Sequence, residues 1–93
     1  MRLRARADAE AAAGVLRQRF GATRVILFGS VARPGGFFEQ SDIDLAVSGI
    51  PVSTFFRAWA EAARVASVEV DVVDLAECSP TLRTVIDEEG IEL

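Results

Sequence analysis

The chain has 93 residues, of which 51% are hydrophobic and 26% charged, and these proportions exclude a disordered chain and allow one domain only. Its ten basic residues are all arginine and are outnumbered by 14 acidic residues, so the net charge of −4 argues against direct binding to nucleic acid. With no histidine and one cysteine the usual zinc ligand sets cannot be assembled, and any metal ion must be held by carboxylates. We therefore expect a single domain over residues 1–93.

The first predicted elements are a helix and a strand. Apolar residues recur at helical spacing between Asp8 and Phe20, and Gly21 follows where a C-terminal glycine belongs. Residues 23–28 form a short β-branched and aromatic run that ends at Gly29, which predicts a strand buried on both faces. Frequent charges within the first twenty residues exclude a signal peptide and a membrane span, so we expect a cytoplasmic protein with no membrane partner.

A loop and a second strand follow. Residues 30–33 can form a short helical turn, which the Pro34-Gly35-Gly36 sequence breaks. The sequence DIDLAVS at residues 42–48 alternates, and this pattern predicts a strand with Asp42 and Asp44 on one face and apolar residues on the other.

The rest of the chain predicts two more helices around a third strand. Ser53 is the expected N-cap of a helix in which Phe55 and Trp59 are interpreted as core residues. Residues 68–73 return to strand composition. Ser79 followed by proline predicts the start of a last helix that ends at Gly90, after which residues 91–93 add a short edge strand. The fold class expected from this alternation is α/β (α+β), a small mixed sheet of about four strands flanked by three to four helices.

The two aspartates of the second strand are candidate metal ligands. Residues at i and i+2 of a strand have Cα atoms about 6.5 Å apart on the same face, so Asp42 and Asp44 can bind the same metal ions. Adjacent like charges disfavour ionisation of both groups unless a cation lies between them, although a strand end exposed to water is the alternative explanation. Hard oxygen ligands suit Mg²⁺, which commonly binds substrate phosphates as well, and a nucleoside triphosphate is the natural substrate of such a site.

Gly29 and Ser30 form a second candidate element, because a strand that ends in Gly-Ser before a helical turn offers unpaired N–H groups to an anion. Gly29 would let a phosphate approach the backbone, and the Ser30 hydroxyl would donate a hydrogen bond to it. A serine at this position is also a common N-cap, and the absence of Gly-Lys-Ser/Thr excludes a P-loop.

The combination of Gly29-Ser30, a gap of eleven residues and Asp42-Ile43-Asp44 resembles the signature of the DNA polymerase beta-like nucleotidyltransferase superfamily. The short chain, Arg33 in the sequence GSVAR, and the segment VDVVDL resemble the minimal nucleotidyltransferase (MNT) family within it. The resemblance implies the nucleotidyltransferase fold. The sequence departs from it at Val31, where many relatives carry arginine, and in the loop that begins at Pro34.

The resemblance also implies a third carboxylate on a later strand, for which we choose Asp71, in mid-strand among valines, over Glu69 and Asp74. It implies that Asp42, Asp44 and Asp71 hold two Mg²⁺ ions, or Mn²⁺, and serve as the catalytic residues.

The same resemblance implies that Gly29 and Ser30 hold the β- and γ-phosphates of ATP. Arg33 would neutralise charge there, with an ion pair on a helix surface as its alternative role.

The function implied by the resemblance is a Mg²⁺-dependent transfer of AMP from ATP to a protein hydroxyl, with attack on the α-phosphorus and release of pyrophosphate. In the MNT family the partner is a helical HEPN-domain protein encoded nearby, and the pair acts as toxin and antitoxin, which makes this chain the expected antitoxin. The alternative is a non-catalytic binding module that neutralises or scaffolds a helical partner. The intact Asp42, Asp44 and Gly29-Ser30 favour the enzyme, and the missing arginine at Val31 leaves the alternative open. A homodimer is left open.

Overall fold

The structure is a computed structural model that describes residues 2–29 and 42–93. The described part of the chain forms three helices and four strands. In chain order these are α1 (Arg2–Phe20), β1 (Arg24–Phe28), β2 (Ile43–Ser48), α2 (Val52–Arg64), β3 (Val70–Asp74), α3 (Pro80–Glu89) and β4 (Ile91–Glu92).

The four strands form one mixed sheet in the order β3-β2-β1-β4. Strand β1 pairs antiparallel with both β2 and β4, whereas β2 and β3 are parallel and are joined through α2, as a parallel connection requires. This architecture confirms the predicted fold class. It also leaves β3 at one edge of the sheet and β4 at the other.

Helices cover both faces of the sheet. On one face α1 and α2 pack over alternate residues of the strands, among them the fully buried Val25, Leu27 and Leu45. On the other face α3 packs over Ile26 and Ala46, which belong to a smaller core cluster. Side chains alternate between the two faces along a strand. A side chain two residues from Ala46 on β2 is therefore in phase with it, which means that both lie on the α3 face.

Helix α1 extends further toward the N-terminus than predicted, since it begins at Arg2 and the Asp8 start was wrong. The carboxylate of Asp8 accepts hydrogen bonds from the backbone N–H and the hydroxyl of Ser67, at 2.9 and 2.6 Å, and so connects α1 to the segment after α2.

None of the described helices is long and apolar enough to cross a bilayer.

The predicted start of α2 was also wrong. Pro51 occupies the N-cap position in an extended conformation, and the helix begins at Val52 rather than after Ser53. Proline fits there because its fixed φ matches the conformation before the first turn, and its carbonyl oxygen accepts from the N–H of Thr54 at 3.1 Å.

The ends of α3 confirm the prediction. The Ser79 hydroxyl oxygen accepts from the N–H of Leu82 at 3.1 Å, with Pro80 in the first helical turn, and Gly90 ends the helix. Gly90 has a φ of −74°, which any residue can adopt. Glycine is needed there for space, because a Cβ would collide with the side chain of Ile26.

Short strand β4 is held to β1 by charge as well as by pairing. The Arg24 guanidinium donates to the carboxylate of Glu92, with Nη2 2.6 Å from Oε1, and this hydrogen bond raises the pKa of Arg24 and lowers that of Glu92. Arg17 of α1 donates to the carbonyl oxygen of Leu93 at 2.7 Å. The predicted edge strand is therefore confirmed.

Candidate active site

Two of the predicted carboxylates lie side by side on adjacent strands. The parallel register of β2 and β3 pairs Asp44 directly with Asp71. Asp44 is in phase with Ala46 and Asp71 with Val73, so both carboxylates lie on the α3 face of the sheet. Adjacent strands are about 4.8 Å apart, which makes the two aspartates nearest neighbours across the sheet.

The exposure of the three aspartates differs. Asp44 is half-buried, whereas Asp71, near the start of the edge strand β3, is exposed. Asp42 is exposed and lies just before β2. The expectation that Asp71 lies in mid-strand was therefore wrong, because it is the second residue of β3.

The surroundings of Asp44 disfavour the negative charge of its carboxylate. Burial raises the pKa of Asp44, and the negative charges of Asp71 and then of Asp42 raise it further. A half-buried carboxylate with two anionic neighbours is a candidate ligand for a divalent cation.

The donor set is open rather than enclosed. Within residues 2–29 and 42–93, no three carboxylate or thiol side chains are close enough to surround an ion by themselves. A Mg²⁺ ion held there would take its remaining oxygen ligands from water and from substrate phosphates, which is its usual manner of binding in proteins. Asp44 and its two acidic neighbours are therefore candidate ligands that would supply part of the coordination of such an ion.

Gly29 brings the end of β1 against Asp44. It follows Phe28, which pairs with Asp44 across β1 and β2, and has a φ of +82°. A Cβ at Gly29 would collide with Oδ2 of Asp44. From the sequence we interpreted Gly29 as a point where a phosphate approaches the backbone. The sequence did not predict that the absence of a side chain at Gly29 also makes room for the Asp44 carboxylate.

The remaining candidates for phosphate binding belong to the segment between Gly29 and Asp42. Ser30 and Arg33 lie outside the described residues, as do Val31 and the predicted helical turn. Their roles remain predictions.

The two alternatives to Asp71 occupy different positions. Asp74 is the last residue of β3, pairs with Val47, and its Oδ1 accepts from the N–H of Ala76 at 3.0 Å, so it belongs to the turn after the strand. Glu69 is exposed just before β3, and its carbonyl oxygen accepts from the N–H of Ile43 at 2.9 Å. The register distinguishes Asp71 from both, since among the three acids only Asp71 pairs with Asp44.

A cleft next to Asp71 contains a residue that the sequence analysis treated as core. Trp59 of α2 packs partly against the core, but it also lines a cleft of about 620 Å³ together with Glu69 and Asp71. Its indole N–H donates to the carbonyl oxygen of Val70 at 2.6 Å. The sequence feature that could have indicated this contact is the position of Trp59 at the edge of the apolar face of α2.

The sequence profile of the family described as Polymerase beta, Nucleotidyltransferase matches residues 10–93. The matched span includes Gly29 and all three candidate aspartates. No curated protein matches the chain significantly.

Several solved structures are similar in fold. A protein with a provisional assignment as a minimal nucleotidyltransferase is 38% identical, with a TM-score of 0.74 over 95% of this chain and 91% of that chain. A toxin–antitoxin crystal structure with AMP-PNP is 25% identical, with a TM-score of 0.77 over 90% of this chain and 70% of that chain. A complex of a tri-AMPylated Shewanella oneidensis HEPN toxin with an MNT antitoxin is 22% identical, with a TM-score of 0.71 over 95% and 70%, and there the likeness is one of fold.

Proposed function

The chain belongs to the polymerase beta nucleotidyltransferase family, and from this premise we propose that it is a protein adenylyltransferase that moves AMP from ATP to a hydroxyl group of a partner protein. The observation that carries the proposal is the pairing of Asp44 with Asp71, with the glycine turn after β1 packed against Asp44. Gly29 and the two paired carboxylates thus lie at one end of the sheet.

Asp42, Asp44 and Asp71 would hold the Mg²⁺ ions, of which we propose two. When bound, such ions stabilise the developing negative charge on the attacking and leaving oxygens. Support comes from Asp44, whose burial and whose two anionic neighbours raise its pKa in the protein alone. A divalent cation would relieve this repulsion.

The residues of the chain itself would bind and orient the nucleotide. Backbone N–H groups after Gly29 and the Ser30 hydroxyl would donate to the β- and γ-phosphates, with Arg33 compensating their charge. The acceptor oxygen would then attack the α-phosphorus in line with the bond to the β-phosphate. A new O–P bond forms as that bond breaks, and pyrophosphate leaves.

The proton of the acceptor hydroxyl would pass to Asp71. The chain contains no histidine and no lysine, so a carboxylate is the available base. Among the three aspartates, Asp71 combines exposure with a direct position beside Asp44. It can therefore meet a hydroxyl that arrives from solvent on a second protein.

The partner we propose is a HEPN-domain protein encoded near this chain, with this chain as the antitoxin. Support comes from the similar toxin–antitoxin structure with AMP-PNP and from the fold likeness to the MNT antitoxin bound to a tri-AMPylated HEPN toxin. Covalent AMP on that toxin is the product expected of a transfer to protein.

The test is to incubate the chain with the neighbouring HEPN-domain protein, Mg²⁺ and ATP and to follow the mass of the partner. We expect the addition of one or more AMP groups. Asp71→Asn should abolish the addition while the two proteins still associate. Asp87→Asn is the matched control, because Asp87 is an exposed carboxylate on α3 that pairs with Arg83 at 3.4 Å.

A non-catalytic binding module is the second candidate function. The missing arginine at Val31 leaves it open, and the exposed Phe56 offers such a module a contact surface. A partner that is neutralised by binding but never modified would decide for this candidate and against the enzyme.

A further inference from the structure

Helix α2 carries an apolar stripe that its packing against the sheet does not use fully. Side chains at i, i+4, i+7, i+11 and i+14 share one side of a helix. In α2 and the residues just after it these are Val52, Phe56, Trp59, Ala63 and Ala66. Val52 is 81% exposed and Phe56 is 77% exposed, although both are large and apolar.

Two clefts lie along this stripe and meet at Trp59. The cleft of about 620 Å³ extends from Trp59 past Ala63 and Ala66 to Asp71, and a second cleft of about 330 Å³ extends from Trp59 to Val52 and Phe56. We call the two together the α2–β3 groove. At a rise of 1.5 Å per residue the stripe is about 21 Å long, enough to contact several residues of a bound segment.

Trp59 and Phe56 form an aromatic surface in the middle of the α2–β3 groove. The Trp59 indole is held by its hydrogen bond to the carbonyl oxygen of Val70 on the edge strand. The Phe56 ring stacks on it, with centroids 6.2 Å apart and planes 15° from parallel. Exposed apolar patches with aromatic side chains are frequent anchors for a protein partner.

The strand side of the α2–β3 groove is acidic. Its carboxylates are Glu69, Asp71, Asp74 and Glu77. None of the described residues that line the groove is basic. A partner segment that fits the groove therefore carries apolar side chains with arginine or lysine beside them.

We propose that the α2–β3 groove docks the acceptor segment of the partner protein and thereby delivers its hydroxyl to Asp71. This inference rests on the proposed function, and it adds the surface that selects the acceptor. The groove ends beside Asp71 on β3, the outermost strand of the sheet. The Asp71 carboxylate lies on the α3 face and α2 on the other face, so a segment anchored on Phe56 and Trp59 would reach this carboxylate round the edge of the sheet. A second copy of this chain is disfavoured as occupant, because a two-fold contact would bring one acidic wall against another.

The first experiment truncates the aromatic anchor. Phe56→Ala should raise the KM for the HEPN-domain acceptor about tenfold or more, as loss of an interface anchor does, with kcat at saturating acceptor unchanged. Metal-dependent ATP binding, measured by calorimetry, should not change. Val65→Ala is the matched control, since Val65 is an exposed apolar residue at the C-cap of α2 that does not line the groove, and the KM of this variant should equal that of the wild type.

The second experiment reverses one charge of the acidic wall. Glu77→Arg should slow association with the acceptor and raise its KM severalfold, and the effect should shrink at high salt. Glu88→Arg, at an exposed position of α3 away from the groove, is the control for net charge.

An unchanged KM in Phe56→Ala would overturn the docking proposal and leave the proposed function intact. A change in oligomeric state with no change in acceptor KM would assign the groove to a second copy and overturn the proposal in the same way. Absence of transfer by the wild-type protein would instead contradict the proposed function. The affinity of the same variants for the unmodified HEPN-domain protein would then decide whether the groove docks it.

Discussion

Asp44 of β2 and Asp71 of β3 face one another across two parallel strands, so the central carboxylate of the candidate site has a like charge as its nearest neighbour on the sheet. Burial and this neighbour, with Asp42, raise the pKa of Asp44. The pKa of an aspartate in the unfolded chain is about 3.9, and the pKa of Asp44 in the folded protein is higher. Such a group contributes stability that is fully present at a pH below the unfolded pKa. The stabilisation is lost as the pH rises through the folded value, and at neutral pH the ionised Asp44 opposes folding.

Asp44→Asn should therefore raise the melting temperature of the metal-free protein at neutral pH, because it removes the repulsion without altering the strand. The same variant should lose the rise in melting temperature that Mg²⁺ and ATP give the wild type, since it lacks a metal ligand. Thermal unfolding with and without Mg²⁺ and ATP measures both effects. Asp87→Asn, which removes a paired carboxylate from α3, should keep the ligand-induced rise. A variant at Asp44 that keeps that rise would contradict the assigned metal site.

Gly29→Ala should damage both stability and the site. An alanine in the left-handed region costs about 1–2 kcal/mol, and here its Cβ would also collide with Asp44. Gly21→Ala provides the control, because Gly21 has a similar φ of +79° and nothing lies near a Cβ built on it. Chemical unfolding should show a loss in both variants, but only Gly29→Ala should weaken metal-dependent ATP binding. Equal ATP binding in the two variants would show that the contact with Asp44 has no role in the site.

Ser30→Ala should weaken ATP binding by about 1–2 kcal/mol, the scale of a hydrogen bond to a charged group, with the fold intact. Calorimetric titration of ATP with Mg²⁺ measures the affinity and circular dichroism the fold. If Ser30 only caps a helical turn, the melting temperature will fall and the affinity will not.

Gly90→Ala should lower the free energy of unfolding by about 1–3 kcal/mol, because the added methyl group would overpack the contact with Ile26. Gly14→Ala is the opposite case. It lies in the middle of α1 with free space around it, so alanine should raise stability by about 0.5–1 kcal/mol through its better helix propensity. Denaturant unfolding of the two variants should give changes of opposite sign. An unchanged stability of Gly90→Ala would contradict the tight contacts of Gly90 with Ile26 and with the carbonyl oxygen of Ile86.

The sequence predicted the parts of this fold that depend on local chemistry. Ser79 and Gly90 mark the ends of α3 because capping and termination act within one turn. The alternation around Asp44 was enough to assign its face, because side chains alternate along any strand.

The missed features depend on contacts between distant segments. The pairing of Asp44 with Asp71 is a matter of register between strands joined by a whole helix, and register is set by the assembled core. Asp8 looked like a helix start, yet its partner Ser67 is 59 residues away and no local rule connects them. The margin of α2 that leaves Phe56 exposed likewise depends on how the helix is rotated against the sheet.

Trp59 gives the protein a built-in optical probe. It is the single tryptophan, and the chain has no tyrosine, so intrinsic fluorescence excited near the red edge of protein absorption comes from one indole. That indole is held by Val70 at the junction of the two clefts and stacked against Phe56. Its emission therefore reports on events at the edge of the sheet rather than on the protein as a whole, and binding of a partner could be followed in solution without attaching a dye.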